Sequence, residues 1–178
     1  MNFKRLLRIS IQASITMSLL FANTLSAAAG GGKGGGDYIG QVSTSVSKTL
    51  PNPTAKELGY QPDATQPLPS GGTATATAQL SWSASKMDGI GRSSLSSDTV
   101  GTYSICATAV QLYMNSSPQG GAGQVCAAKT GGGSVTSTKS KVVASVFGKT
   151  WRADTSHAFT KSGWGGWFPN LSTGTISL

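Results

Sequence analysis

The sequence predicts an all-β protein: a single antiparallel two-sheet sandwich, with a small β-barrel as the alternative way of closing the same strands. Three observations carry that prediction. Apolar and polar residues alternate with period two along several segments. Glycine-rich or polar clusters separate those segments. No stretch of useful length combines helical periodicity with capping residues.

The N-terminal segment reads as an address. Lys4, Arg5 and Arg8 precede a mostly apolar run from Ile9 to Leu25, and Ala27-Ala28-Ala29 supplies the small residues that signal peptidase needs. The expected signal peptide is 1–29, cleaved near Ala27 to Ala29, which predicts a secreted protein, extracellular or periplasmic. Cleavage would take three positive charges from the net +8 of the 178-residue chain and no negative ones, leaving +5. No clean apolar stretch of about 18 residues follows, so no stable transmembrane helix is expected after cleavage.

Residues 30–70 are expected to be a glycine-rich leader and a proline-rich linker, with one candidate strand at 38–48. The β-sandwich domain is expected to span 71–178. Its first clear strand starts at Thr73, where Ala74, Ala76, Ala78, Leu80, Trp82 and Ala84 alternate with polar residues. Leu80 and Trp82 are expected on the inner face. Lys86 to Thr102, with Gly89, Gly91 and Gly101, reads as a long loop. Tyr103 to Met114 is apolar on both faces in places, the mark of a central strand. A turn at Asn115-Ser116-Ser117-Pro118 leads to a shorter strand, Gln124 to Thr130, closed by Gly131-Gly132-Gly133.

Lys139 to Phe147 and Thr150 to Thr160 flank Gly148-Lys149, a two-residue loop suited to a type II′ turn. As a hairpin, this turn would set Val146 opposite Trp151, Ala144 opposite Ala153 and Val142 opposite Thr155 on a core face. A further candidate strand lies at 171–177.

Cys106 and Cys126, twenty residues apart in an exported chain, are expected to form a structural disulfide. It would tie the 103–114 strand to the segment after the turn and stabilise by about 3 kcal/mol in the chain-entropy picture. An immunoglobulin-like label would be analogy only, because Trp82 precedes both cysteines. Two cysteines and one histidine imply no metal centre, and no cofactor motif is present.

No catalytic constellation emerges either. Asp154 and Ser156 project to one face of a strand and His157 to the other, which argues against a local triad. His157 is expected at the end of the core face, opposite Ser140. Asp88 and Asp98 are the one carboxylate pair to weigh for glycosidase chemistry. The chain is therefore read as non-enzymatic.

Gly163-Trp164-Gly165-Gly166-Trp167-Phe168-Pro169 holds three large aromatics on a glycine-rich stretch. Trp164, Trp167 and Phe168 are the candidate binding surface, with capping of one end of the sandwich as the structural alternative. The expected function is that of a secreted, non-catalytic β-domain. Its ligand would be an extracellular or cell-envelope component, either an anionic surface polymer or another secreted protein. Nucleic acid is not expected as a partner. A bacteriocin-like or membrane-active toxin and an exported hydrolase are the rival classes.

Overall fold

The computed structural model describes residues 38–59 and 70–178. The expected signal peptide at 1–29, the glycine run at 30–36 and residues 60–69 of the proline-rich stretch lie outside the described residues. The chain forms two antiparallel sheets packed face to face, with no closed barrel. The first contains β1 (Gly40–Thr49), β2 (Thr73–Trp82), β3 (Lys86–Leu95) and β7 (Gly133–Val142), in that spatial order. In the second, β4 (Thr102–Met114) and β8 (Thr150–Lys161) form the centre. Around them lie β5 (Ser117–Pro118), β6 (Val125–Thr130), β9 (Trp164–Trp167), β10 (Asn170–Ser172) and β11 (Ile176–Ser177). One short helix, α1 (Ala55–Leu58), follows β1 and is held by a Thr54–Glu57 capping box.

The period-two reading of β2 holds from Thr73 to Leu80: Ala74, Ala76, Ala78 and Leu80 are buried and the residues between them are half-buried, while Ser81 beyond them is buried as well. Trp82 is only half-buried, because it stands where the strand leaves the sheet. The central position of β4 also holds, since it pairs with β8 on one side and with β5 and β6 on the other. Cys106 and Cys126 are register partners across β4 and β6 and form the disulfide.

Two expectations are corrected. The expected loop at 86–102 is in its first ten residues a full strand, β3, paired to both β2 and β7. Its glycines mark close approach of the sheets rather than turns. A Cβ on Gly91 would come within 2.9 Å of the Thr108 carbonyl oxygen, and one on Gly89 within 3.1 Å of the Ala153 methyl.

The Gly148-Lys149 hairpin does not form. β7 ends at Val142 and pairs with β3, while β8 pairs with β4. The segment between them crosses from one sheet to the other, with Val143 and Val146 donating to the carbonyls of Ser85 and Ala84. Gly148 does take a positive φ of 71° as a turn glycine, but the turn joins two sheets. The face assignment of β7 reverses with its partner. Val142 is 72% exposed, while Val135 and Ser137 point inward. Two-residue hairpin turns lie instead at Asn115-Ser116, both at positive φ, between β4 and β5, and at Ser162-Gly163 between β8 and β9.

The interior holds two apolar clusters. Tyr103, Ile105, Phe159 and Leu95 fill one end, and Leu80, Met87, Leu112 and Trp151 fill the other. Between them the facing residues are small or polar: Gly91, Ala78, Ala109, Ser93, Ser137, Thr155 and His157. Replacing Gly91 by alanine is expected to cost about 1–3 kcal/mol, because the Thr108 backbone cannot yield as a side chain would. The control is Gly123→Ala, where nothing lies within 4 Å of the new methyl. Urea denaturation of the two variants should separate them by that margin.

Candidate binding site

The aromatic segment divides in two. Beyond the turn at Ser162-Gly163, β9 folds back on β8, with Trp164 opposite Lys161 and Trp167 opposite Phe159. Trp164 meets the Tyr103 ring edge-on at 5.9 Å, and Trp167 stacks on Phe159 at 5.1 Å. Both indoles are half-buried against the first apolar cluster and close that end of the sandwich. The Lys48 ammonium sits 5.6 Å from the Trp164 ring centre. Of the three predicted residues only Phe168 is displayed, at 61% exposure.

His157 lies in the polar seam between the sheets, 4% exposed, and not opposite Ser140 as expected. The seam is its place because β8 residues 151, 153, 155, 157 and 159 all point inward. Its Nδ1 is 2.9 Å from the Ser93 hydroxyl and its Nε2 is 2.8 Å from the Thr155 hydroxyl. Ser93 gives its own proton to the Cys106 carbonyl at 2.6 Å, so it accepts from His157 Nδ1–H. Nε2 is then the acceptor for Thr155. The ring is neutral and fully satisfied, and burial lowers its pKa to about 4. Asp154 and Ser156 point to the opposite face of β8.

The carboxylates are spread apart. Asp88 is buried near the start of β3, accepting from Tyr38 and from Lys86. Burial raises its carboxyl, but contacts with Ser140, Tyr38 and Lys86 outweigh that and leave it below the usual range. Asp98 is exposed in the turn beyond the other end of the strand. The strand rise puts the two roughly 25–30 Å apart, too far to flank one glycosidic bond. Glu57 pairs with Lys161 at 2.5 Å, and that contact lowers its pKa. Asp154 pairs with Arg152 at 3.2 Å, and Arg152 lies over the Tyr113 ring at 4.0 Å.

Among the described residues, then, every acidic side chain except Asp98 is engaged by a cation. Of the described cations without a carboxylate partner, Lys48, Lys56, Arg92 and Lys149 are dispersed, and Lys129, Lys139 and Lys141 lie together on one flank. Lys139 and Lys141 share the parity of Val135 and Ser137 on β7 and lie on the flank where β7 meets the 119–124 segment of the other sheet. The Lys139 ammonium lies over Gly120, and the Lys129 stem, from β6, lies over Gly133. From the start of β7 to Lys141 this lysine flank runs roughly 25 Å by the strand rise. Beside it, the outer face of β7 offers Ser134, Thr136, Thr138 and Ser140, with Arg92 of β3 reaching Ser134 at 3.3 Å. The i, i+2 spacing of Lys139 and Lys141 was visible in the sequence. Their side of the molecule was not, because it depends on β7 pairing with β3.

No family model, curated protein or solved structure matches the chain.

The buried histidine makes the fold acid-sensitive. Its folded pKa of about 4 lies below the unfolded 6.5, so the unfolded chain binds the extra proton as pH falls. Its contribution is complete above pH 6.5 and is lost as pH falls toward 4. Unfolding free energy should drop by about 2 kcal/mol between pH 7 and pH 5, above the carboxylate range. A His157→Gln variant should be less stable at pH 7 and nearly flat across that interval. Chemical denaturation at each pH measures both.

Proposed function

We propose that this is an exported, non-catalytic β-sandwich that binds an anionic, hydroxyl-bearing polymer of the cell envelope along its lysine flank. One observation carries the reading: the described acids are mostly paired in place, while Lys129, Lys139 and Lys141 lie along one flank without a carboxylate partner. Such segregation gives a positive stripe that attracts a linear polyanion and holds it at several points. The adjoining β7 hydroxyls can donate to phosphate or sugar oxygens and accept from polyol hydroxyls. The signal-like N-terminus supports export, and the neutral, fully hydrogen-bonded His157 supports a non-catalytic role.

Co-sedimentation with lipoteichoic acid micelles and with uncharged dextran tests this. Binding to the phosphate polymer is expected at low salt, and should weaken at least tenfold by ~0.3 M salt as the stripe is screened. A Lys129→Gln/Lys139→Gln/Lys141→Gln variant should lose that binding, and Phe168→Ala should keep it. Salt-insensitive binding that survives the triple replacement would sink the proposal. So would loss on Phe168→Ala alone, which would return the site to the aromatic segment.

A further inference from the structure

The four-stranded sheet ends on two long strands with different chemistry. β7 carries Lys139 and Lys141, charges of the kind that keep an edge from pairing with another copy of itself. β1 has no charged residue from Gly40 to Ser47, and among the described residues its one sheet neighbour is β2. The Leu50 amide donates to the Gly72 carbonyl at 2.9 Å, and the same antiparallel register continues along β1. Even-numbered residues of β1 therefore turn their N–H and C=O toward β2, and Gln41, Ser43, Ser45 and Ser47 turn theirs to the open edge. The hydroxyl contacts Ser45–Thr77 at 2.9 Å and Ser47–Thr75 at 2.8 Å agree, since side chains approach most closely in pairs that exchange no backbone bond.

The open strand reads the same in both directions about Thr44: Val42-Ser43-Thr44-Ser45-Val46. We propose that β1 pairs antiparallel with β1 of a second copy across a two-fold axis through Thr44, joining two four-stranded sheets into one of eight. In this register Ser43 of one copy meets Ser45 of the other, and Gln41 meets Ser47. All four carry open-edge backbone groups, so donors face acceptors. Val42 lies beside Val46 on the inner face, where both already contact the apolar clusters. Lys48 falls opposite Gly40, which keeps the two lysines apart. A one-residue slip sets open groups against groups already used by β2. Moving the axis to Ser43 or Ser45 instead places Val42 against Thr44 or Lys48. The contact is isologous and closes at two copies. It leaves β7 at both outer ends of the joined sheet, so it does not depend on what the lysine flank binds.

Sedimentation of the purified protein from micromolar to submillimolar concentration should show its mass doubling. Ser43→Pro should hold it monomeric, because that N–H serves the open edge and not β2. Thr44→Cys supplies a test that survives any folding defect of the proline variant. Two copies meet at this residue with Cα atoms about 4.5 Å apart, a spacing a disulfide accepts. Oxidation should link Thr44→Cys into a covalent dimer and leave Ser47→Cys, which faces Gln41, unlinked. A protein monomeric at all concentrations with no Thr44→Cys link overturns the proposal. A dimer that ignores Ser43→Pro and links equally through either cysteine overturns it too, and moves the interface elsewhere.

Discussion

The structure depends on how closely β3 approaches β4 and β8. Glycine at 89 and 91 lets the strand run against Ala153, Leu112 and the Thr108 backbone with no side chain between. Close approach leaves no room for large apolar residues at the middle of the interface, so the apolar volume divides into clusters at the two ends. What fills the middle has to be small or hydrogen-bonded, and a buried polar group without a partner would cost more than the contact returns.

The Ser93–His157–Thr155 chain meets that requirement and sets the alignment of the sheets. Ser93 belongs to one sheet, while His157, Thr155 and the Cys106 carbonyl belong to the other. Sliding one sheet over the other would orphan several polar groups together. Ser137 does the same at β7, taking the Ala109 amide and giving its proton to the Gly123 carbonyl. Apolar clusters tolerate small shifts; this seam does not. Its dependence on a neutral imidazole is what ties the fold to pH.

The surface follows from the same arrangement. Every outward residue of β1 and β2 is Ser, Thr or Gln, so this face is polar without being charged. Charge lies in local ion pairs, in Lys129, Lys139 and Lys141 where β6 and β7 meet, and in dispersed cations such as Arg92 on the outer face of β3. The protein therefore offers different chemistry at its two sheet edges: a neutral, self-matching strand at β1 and a lysine flank beside β7. At the end near Phe159, Trp164 and Trp167 fold back as a lid over the core rather than standing out from it.

Much of this was legible residue by residue. The alternation from Thr73 to Leu80, the double-sided apolarity of Tyr103 to Met114, and a lone pair of cysteines twenty residues apart are local or compositional signals, and each met its expected structure. So did the opposed directions of His157 and Asp154, which follow from strand geometry alone. Partner choice was another matter. Gly89 and Gly91 have the same composition whether they turn a loop or admit a neighbouring sheet, and Gly148-Lys149 has the same φ preference whether it closes a hairpin or crosses between sheets. The class of fold, the inward faces of β2 and β8 and the disulfide follow from the chain itself, because those rest on period and covalent chemistry; the inward face of β7 does not, because it depends on its partner. Only the tertiary structure decided which strands pair, that His157 meets Ser93, and that three lysines share one side. Those depend on contacts between segments far apart in the chain, which no local pattern encodes.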